Sequence, residues 1–137
     1  MDKRLFFLMN MAQKKLFRFM DQACEKELQT SMTQMAALMV IASKDDCQQK
    51  DVARTLELNK SAITGLVSRM EKNGLLRRHS SRDDARAVVL RVTPEGGAKL
   101  EQLKPMIATM NSIFSDEFSD EEMLTILRFL NFIMARF

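Results

Sequence analysis

A chain of 137 residues, 46% of them hydrophobic and 28% charged, is long enough to bury one core and leaves little room for a second. Two cysteines exclude a disulfide scaffold, and a single histidine excludes an imidazole cluster for a metal. The formal net charge of +3 is small, so its placement along the chain matters more than its size.

The opening MDKRLFFLMNMAQKK contains a short apolar run with no small-residue cleavage pattern after it, which together with the two cysteines predicts a cytoplasmic protein. From Lys3 to about Lys26, residues Leu5, Leu8, Met9, Ala12, Leu16, Phe19, Met20 and Ala23 recur at helical spacing and predict a long amphipathic helix. Phe6, Phe7 and Phe17 add apolar surface off that stripe, more than one small protomer covers by itself. A partner is expected there.

Ser31-x-x-Gln34 has capping-box spacing, and MAALMVIAS follows as a short apolar helix. After the polar break Ser43-Lys44-Asp45-Asp46, a helix is expected from about Gln48 to Leu56 and a turn over Glu57 to Asn59. Asn59 then caps a second helix that runs to Lys72 or Asn73, with Gly74 as its left-handed C-cap. Val52, Leu56, Leu58, Ile63 and Leu66 are apolar where two short crossing helices bury against each other, and small Ala53 sits where they come closest. This is the pattern of a helix-turn-helix.

Beyond Gly74 the period changes. Leu75 to His79 and Ala87 to Val92 read as two strands of a hairpin joined by the charged tip Ser80-Ser81-Arg82-Asp83-Asp84-Ala85-Arg86. Thr93-Pro94-Glu95 then reads as N-cap, first-turn proline and first-turn acid. The helix it opens carries Leu100, Leu103, Met106, Ile107, Met110, Ile113 and Phe114, with Pro105 inside, where a kink or split is expected. Ser119-x-x-Glu122 is a second capping box, and the final helix behind it is apolar almost all round. Thr125, Arg128, Asn131 and Arg136 interrupt that helix, so it falls short of the ~20 apolar residues that span a bilayer. The first and last two helices are therefore expected to interlock with a second copy, the competing reading being that they fold back onto the protomer's own core.

Eight Lys or Arg against three acids lie between Lys60 and Arg91, a local charge of +5 that leaves −2 for the remaining chain. Such a concentration on one motif suits a polyanion, with nucleic acid the leading candidate and a solvated basic face the alternative.

NKSAITGLVSRMEKNGLLRR, followed by Asp84-x-Arg86 and VVLRVTPEG, resembles the recognition helix, exit and wing signature of the MarR-type winged helix-turn-helix regulators. The resemblance runs in order over essentially the whole chain. It implies a mainly α fold with a small β-hairpin wing, in the α+β class. Residues 1–137 would form a single domain, with 31–93 the winged DNA-binding part and 1–30 and 94–137 the dimerisation helices. It also implies a homodimeric transcription regulator, a repressor that binds a near-palindromic double-stranded operator and responds to a small phenolic or aromatic effector. A helix fits the major groove, where each base pair shows a distinct pattern of donors and acceptors, and a two-fold dimer sets two such helices about one turn apart.

Carried over residue by residue, the resemblance assigns base or phosphate contacts to Lys60, Ser61 and Thr64 near the start of the recognition helix. Gly65 stands where relatives carry larger residues, which leaves open whether it permits close backbone approach or removes a contact. Arg69 either reaches a phosphate or ties the helix to the wing. In the wing, Arg86 resembles the family's minor-groove arginine, with Asp84 to orient it and Arg82 and Arg78 as phosphate contacts. Two departures from the family's pattern are Gln48, in place of a capping Ser or Thr, and Glu57, at a turn position that is glycine in many simple repressors.

No Gly-rich phosphate loop or spaced pair of CxxC motifs is present, and Asp45-Asp46 and Asp83-Asp84 lie in polar loops without an apolar pocket. No catalysis, cofactor or metal is expected. Twelve methionines suit an adaptable ligand pocket and an ordinary core equally. Cys24 and Cys47 leave a redox-responsive regulator as one alternative. A winged-helix module that docks a protein without reading DNA is the other.

Overall fold

The computed structural model describes residues 2–81 and 87–137 of the chain. Eight elements follow one another: α1 Leu5–Leu28, α2 Met32–Ser43, α3 Gln49–Leu56, α4 Lys60–Lys72, β1 Leu76–Ser80, β2 Val88–Val92, α5 Pro94–Glu117 and α6 Asp120–Arg136. They divide into two compact units, Met1–Leu103 and Lys104–Phe137. Among the described residues, no helix is long and apolar enough to cross a membrane.

The core of the first unit is built around α2. Its sequence is apolar on nearly every side, and Met35, Ala37, Leu38 and Ile41 are all buried as it packs against α1, α3 and β2. A helix with no water-facing stripe fits only where neighbours surround it. Its start is held twice, by Ser31 Oγ, which accepts from the Gln34 backbone N–H at 3.2 Å, and by Asp21 Oδ1, which accepts from Met32 N–H at 2.8 Å. The expected capping box is only half made. The Gln34 side chain turns away to accept from Thr30 Oγ1 at 3.2 Å and from Asn73 Nδ2 at 3.4 Å. A buried amide oxygen with two donors in reach is better satisfied there than over a solvated backbone N–H.

α3 and α4 form the helix-turn-helix, joined through Glu57 with φ of 54°. This is the left-handed region, which costs a side-chain-bearing residue about 1–2 kcal/mol and glycine little. Glu57→Gly is accordingly expected to raise stability by about 0.5–1 kcal/mol, read as a shift of the urea midpoint. The start of α3 is set by Asp51, which accepts from the Gln48 N–H at 2.8 Å while its other oxygen meets Lys44 Nζ at 2.8 Å. Gln48 at the cap position is thus compensated from within the helix.

The Lys44 ammonium and then the Gln48 N–H hold the Asp51 carboxyl below its ordinary 3.8, against an opposing push from burial. A folded-state pKa below the unfolded one adds stability above the unfolded value and loses it as pH falls through the folded one. Asp51→Asn should therefore lower the denaturant midpoint at pH 7 and flatten its decline below pH 3.8. An unchanged acid limb would remove Asp51 from that role.

Gly74 takes φ of 77° just after α4, as its place behind Asn73 requires. The hairpin follows with β1 antiparallel to β2 in the register Leu76↔Val92, Arg78↔Leu90 and Ser80↔Val88. The other edge of β2 is not free along its length, because Leu90 N–H donates to the Cys47 carbonyl at 2.7 Å. Arg91 also reaches Asp46 Oδ1 at 3.5 Å, so the segment before α3 runs beside the hairpin.

Thr93 ends the hairpin and opens α5. Its Oγ1 accepts from Gly96 N–H at 3.0 Å and donates to the Gly74 carbonyl, so one hydroxyl fastens α5 to the exit of α4. Lys99 Nζ bonds the Leu28 carbonyl at the end of α1. α5 is not split at Pro105 but is one helix from Pro94 to Glu117. Proline removes a single rung of the backbone ladder, and intact turns on both sides preserve the rest.

In the second unit, α6 is opened by a complete capping box, with Ser119 N–H to Glu122 Oε1 at 3.0 Å and Glu122 N–H to Ser119 Oγ at 3.2 Å. It buries none of its residues.

Candidate nucleic-acid interface

α4 divides cleanly into two sides. Ile63, Leu66, Val67 and Met70 are buried, while Lys60, Ser61, Thr64, Ser68, Arg69 and Lys72 are exposed. The Asn59 side chain starts the helix by accepting from Ala62 N–H at 2.8 Å. The outward face carries short side chains along most of its length, with cations at its start and toward its end.

Three of the expected contact residues, Lys60, Ser61 and Thr64, share the exposed first turns. Thr64 is already committed. Its hydroxyl donates to the Lys60 carbonyl at 2.8 Å and accepts from Gln49 Nε2 at 3.0 Å, which leaves the methyl group as its outward chemistry. Gln49 was not singled out by the sequence, since one polar residue at the start of α3 carries no periodic signal of its partner fifteen positions on.

Among the described residues Arg69 makes no bond to the hairpin. Arg78 ties the hairpin to the helix: its Nε lies 3.3 Å from Glu71 Oε1 and its Nη2 is 3.5 Å from Ser68 Oγ. Arg69 instead lies back along the helix, with Nη1 3.2 Å from where a Cβ on Gly65 would stand. Among the described residues Lys60, Arg69, Lys72 and Arg77 make no ion pair, whereas Arg78 and Arg91 do. Arg82, Asp84 and Arg86 lie outside the described residues. No group of three or more His, Cys, Asp or Glu is placed to hold a metal ion among the described residues.

The family model described as "MarR family" matches residues 28–87, which hold α2, the helix-turn-helix and the first half of the hairpin. The HTH-type transcriptional regulator BilQ of Clostridioides difficile is 27% identical over 119 residues, covering 87% of this chain and 80% of that one. Over these residues the chain is similar to the MarR family of transcription regulators. It spans 42–56% of the length of three other relatives that it matches. Its fold is that of MepR from S. aureus in a DNA complex (TM-score 0.83, 19% identity, 95% of this chain and 94% of that one). Bordetella bronchiseptica BpsR, described in terms of regulation of DNA binding by 6-hydroxynicotinic acid, matches with a TM-score of 0.83, 18% identity, and 96% and 94% of the two chains. MarR-family proteins are transcription regulators and not enzymes, in keeping with the sequence expectation.

Both thiols of the chain are buried. Burial pushes the Cys24 thiol up, helped by Asp21 and Glu25, and the same cause followed by Asp51 pushes Cys47 up against the pull of Lys44. Reactive thiols are exposed and held as thiolates, the opposite on both counts. Neither cysteine is expected to react with a bulky thiol reagent at neutral pH until the chain is unfolded. Stoichiometric labelling of the native protein would restore a redox role.

Proposed function

We propose that the chain is a homodimeric, sequence-specific double-stranded DNA-binding regulator, a repressor released from its operator by a small aromatic, phenolic-type effector. The observation that carries the DNA reading is the outer face of α4, where short polar side chains stand with Lys60, Arg69 and Lys72, which make no ion pair among the described residues, opposite a buried apolar stripe. Short side chains let a helix sit deep in the major groove, and free cations replace phosphate counterions. The DNA-bound form of MepR and the 6-hydroxynicotinic acid control of BpsR support the same reading for a chain of this fold. In it, Lys60, Ser61 and Thr64 enter the groove, and Arg86, oriented by Asp84, reaches the minor groove while Arg82 contacts phosphate. Arg78 holds the hairpin to α4 through Glu71 and meets phosphate with what remains exposed. Such a protein works in the compartment that holds the chromosome, the cytoplasm.

Fluorescence anisotropy with duplexes from upstream of its own gene, repeated across a salt series, tests this. Binding to one duplex far above random DNA, with log K falling linearly in log salt, is expected. Failure to bind any duplex would favour the protein-docking alternative. Release of the bound duplex by aromatic acids such as 6-hydroxynicotinate or salicylate is the expected effector result, and indifference to a panel of them would remove the effector part.

A further inference from the structure

We infer that Gly65 and Arg69 act as one specificity-determining device, in which the missing side chain at 65 seats the Arg69 guanidinium where it reads a guanine edge in the major groove. The inference rests on the DNA-binding reading above and assigns one contact within it. Ser61, Gly65 and Arg69 follow at i, i+4 spacing and form one row on the exposed face of α4. A helical side chain leans toward the helix N-terminus and covers the turn before its own Cα. For Arg69 that turn is the one carrying Gly65. A Cβ on Gly65 would stand 3.2 Å from Arg69 Nη1, so the guanidinium rests against bare backbone and a methyl group at 65 would push it outward by a few tenths of an ångström.

Two neighbours of Arg69 have their polar groups already engaged. Thr64 has its hydroxyl proton on the Lys60 carbonyl and its oxygen on Gln49, so it offers a methyl group. Arg78 is held by Glu71, whereas Arg69 makes no ion pair among the described residues. A guanidinium is a planar fork of donors without an acceptor, and the major-groove edge with two adjacent acceptors is that of guanine, O6 and N7. A phosphate also accepts the guanidinium fork, so base preference and not charge separates the two roles.

The test compares wild type, Arg69→Lys, Arg69→Ala and Gly65→Ala for affinity to the preferred duplex and to its single-base-pair variants across a salt series. Wild type is expected to lose roughly ten- to a hundredfold when one particular G·C pair in each half-site is changed. Arg69→Lys and Arg69→Ala should flatten that preference while preferences at other positions persist. Gly65→Ala should flatten it as well, yet raise the thermal midpoint, because alanine is the better helix former and the flexible end of Arg69 yields to the new methyl group. Weaker binding with stability gained separates a displaced reader from a damaged fold. If Arg69→Ala weakens all duplexes equally and lowers the salt slope by about one contact, Arg69 is a phosphate ligand and the inference falls. If Gly65→Ala keeps every base preference, the seat has no role and the inference falls too. A wild-type chain that binds no duplex overturns the parent reading and this one with it.

Discussion

Replacing Leu127 and Leu130 together by aspartate is expected to leave a monomer in sedimentation at micromolar concentration, and to weaken operator binding by roughly 10²–10⁴-fold. α6 buries none of its residues, and Leu127 and Leu130 are each about half exposed, at 50% and 49%. A 17-residue helix is barely longer than the ~12–15 residues below which isolated helices are marginal in water, so packing must hold it. The two leucines stand at i, i+3 spacing on one face. Leu124 and Phe132 on the same helix, and Phe6, Phe7 and Phe19 on α1, are more than half exposed as well. The proposed second copy of the chain would cover such surface, and two aspartates set against it would have to be desolvated without partners. The loss of affinity follows from unlinking two half-sites, since each unit would then bind alone. Circular dichroism of the variant should retain the helical signal of the first unit. A dimer of wild-type strength would end the proposal.

Alanine at two adjacent glycines is expected to act with opposite sign. Gly96 lies at the start of α5 with its Cα pressed to the exit of α4: an added Cβ would stand 2.3 Å from the Leu75 carbonyl oxygen and 3.0 Å from Val92 Cγ1. That carbonyl cannot retreat, because it accepts from Thr93 N–H at 3.1 Å, and Thr93 is itself bonded to the Gly74 carbonyl and to Gly96 N–H. Gly96→Ala must therefore move the helix or break the cap, at about 3 kcal/mol or more. Gly97 has nothing within 4 Å of its Cβ position, so Gly97→Ala should add up to about 1 kcal/mol of helix propensity. Urea titrations of the two variants side by side read both signs. Equal effects would show that propensity, not the close approach, governs this turn.

The caps and turns were legible because they are local. Asn59, Gly74, Thr93 and the Ser119–Glu122 pair each act within a few residues of where the sequence places them, and all four are formed. The buried stripe of α4 was legible from its period. What escaped were bonds that join distant positions. Gln34 left its box for Asn73, 39 residues away, and Cys47, with no strand of its own, lies beside β2 through a single carbonyl. Of the two outcomes expected at Pro105, a kink or a split, the helix is not split, because one lost hydrogen bond leaves the turns around it intact. At the candidate interface, sequence indicated which residues stand on the exposed face of α4. It did not indicate which were already occupied: Thr64 by Gln49, and Arg78 by Glu71.

The bond from Leu90 to Cys47 bears on how the protein behaves when concentrated. A two-stranded ribbon has two outer edges, and an unpaired edge is a template for strands of other molecules. Here the β2 edge is closed at its centre by the Cys47 carbonyl, and the β1 edge carries exposed Arg77, Arg78 and His79. A second ribbon approaching in register would set its own Arg77 guanidinium against that of the first. The hairpin is thereby shielded from aggregation on both sides, by a partner within its own chain on one and by like-charge repulsion on the other.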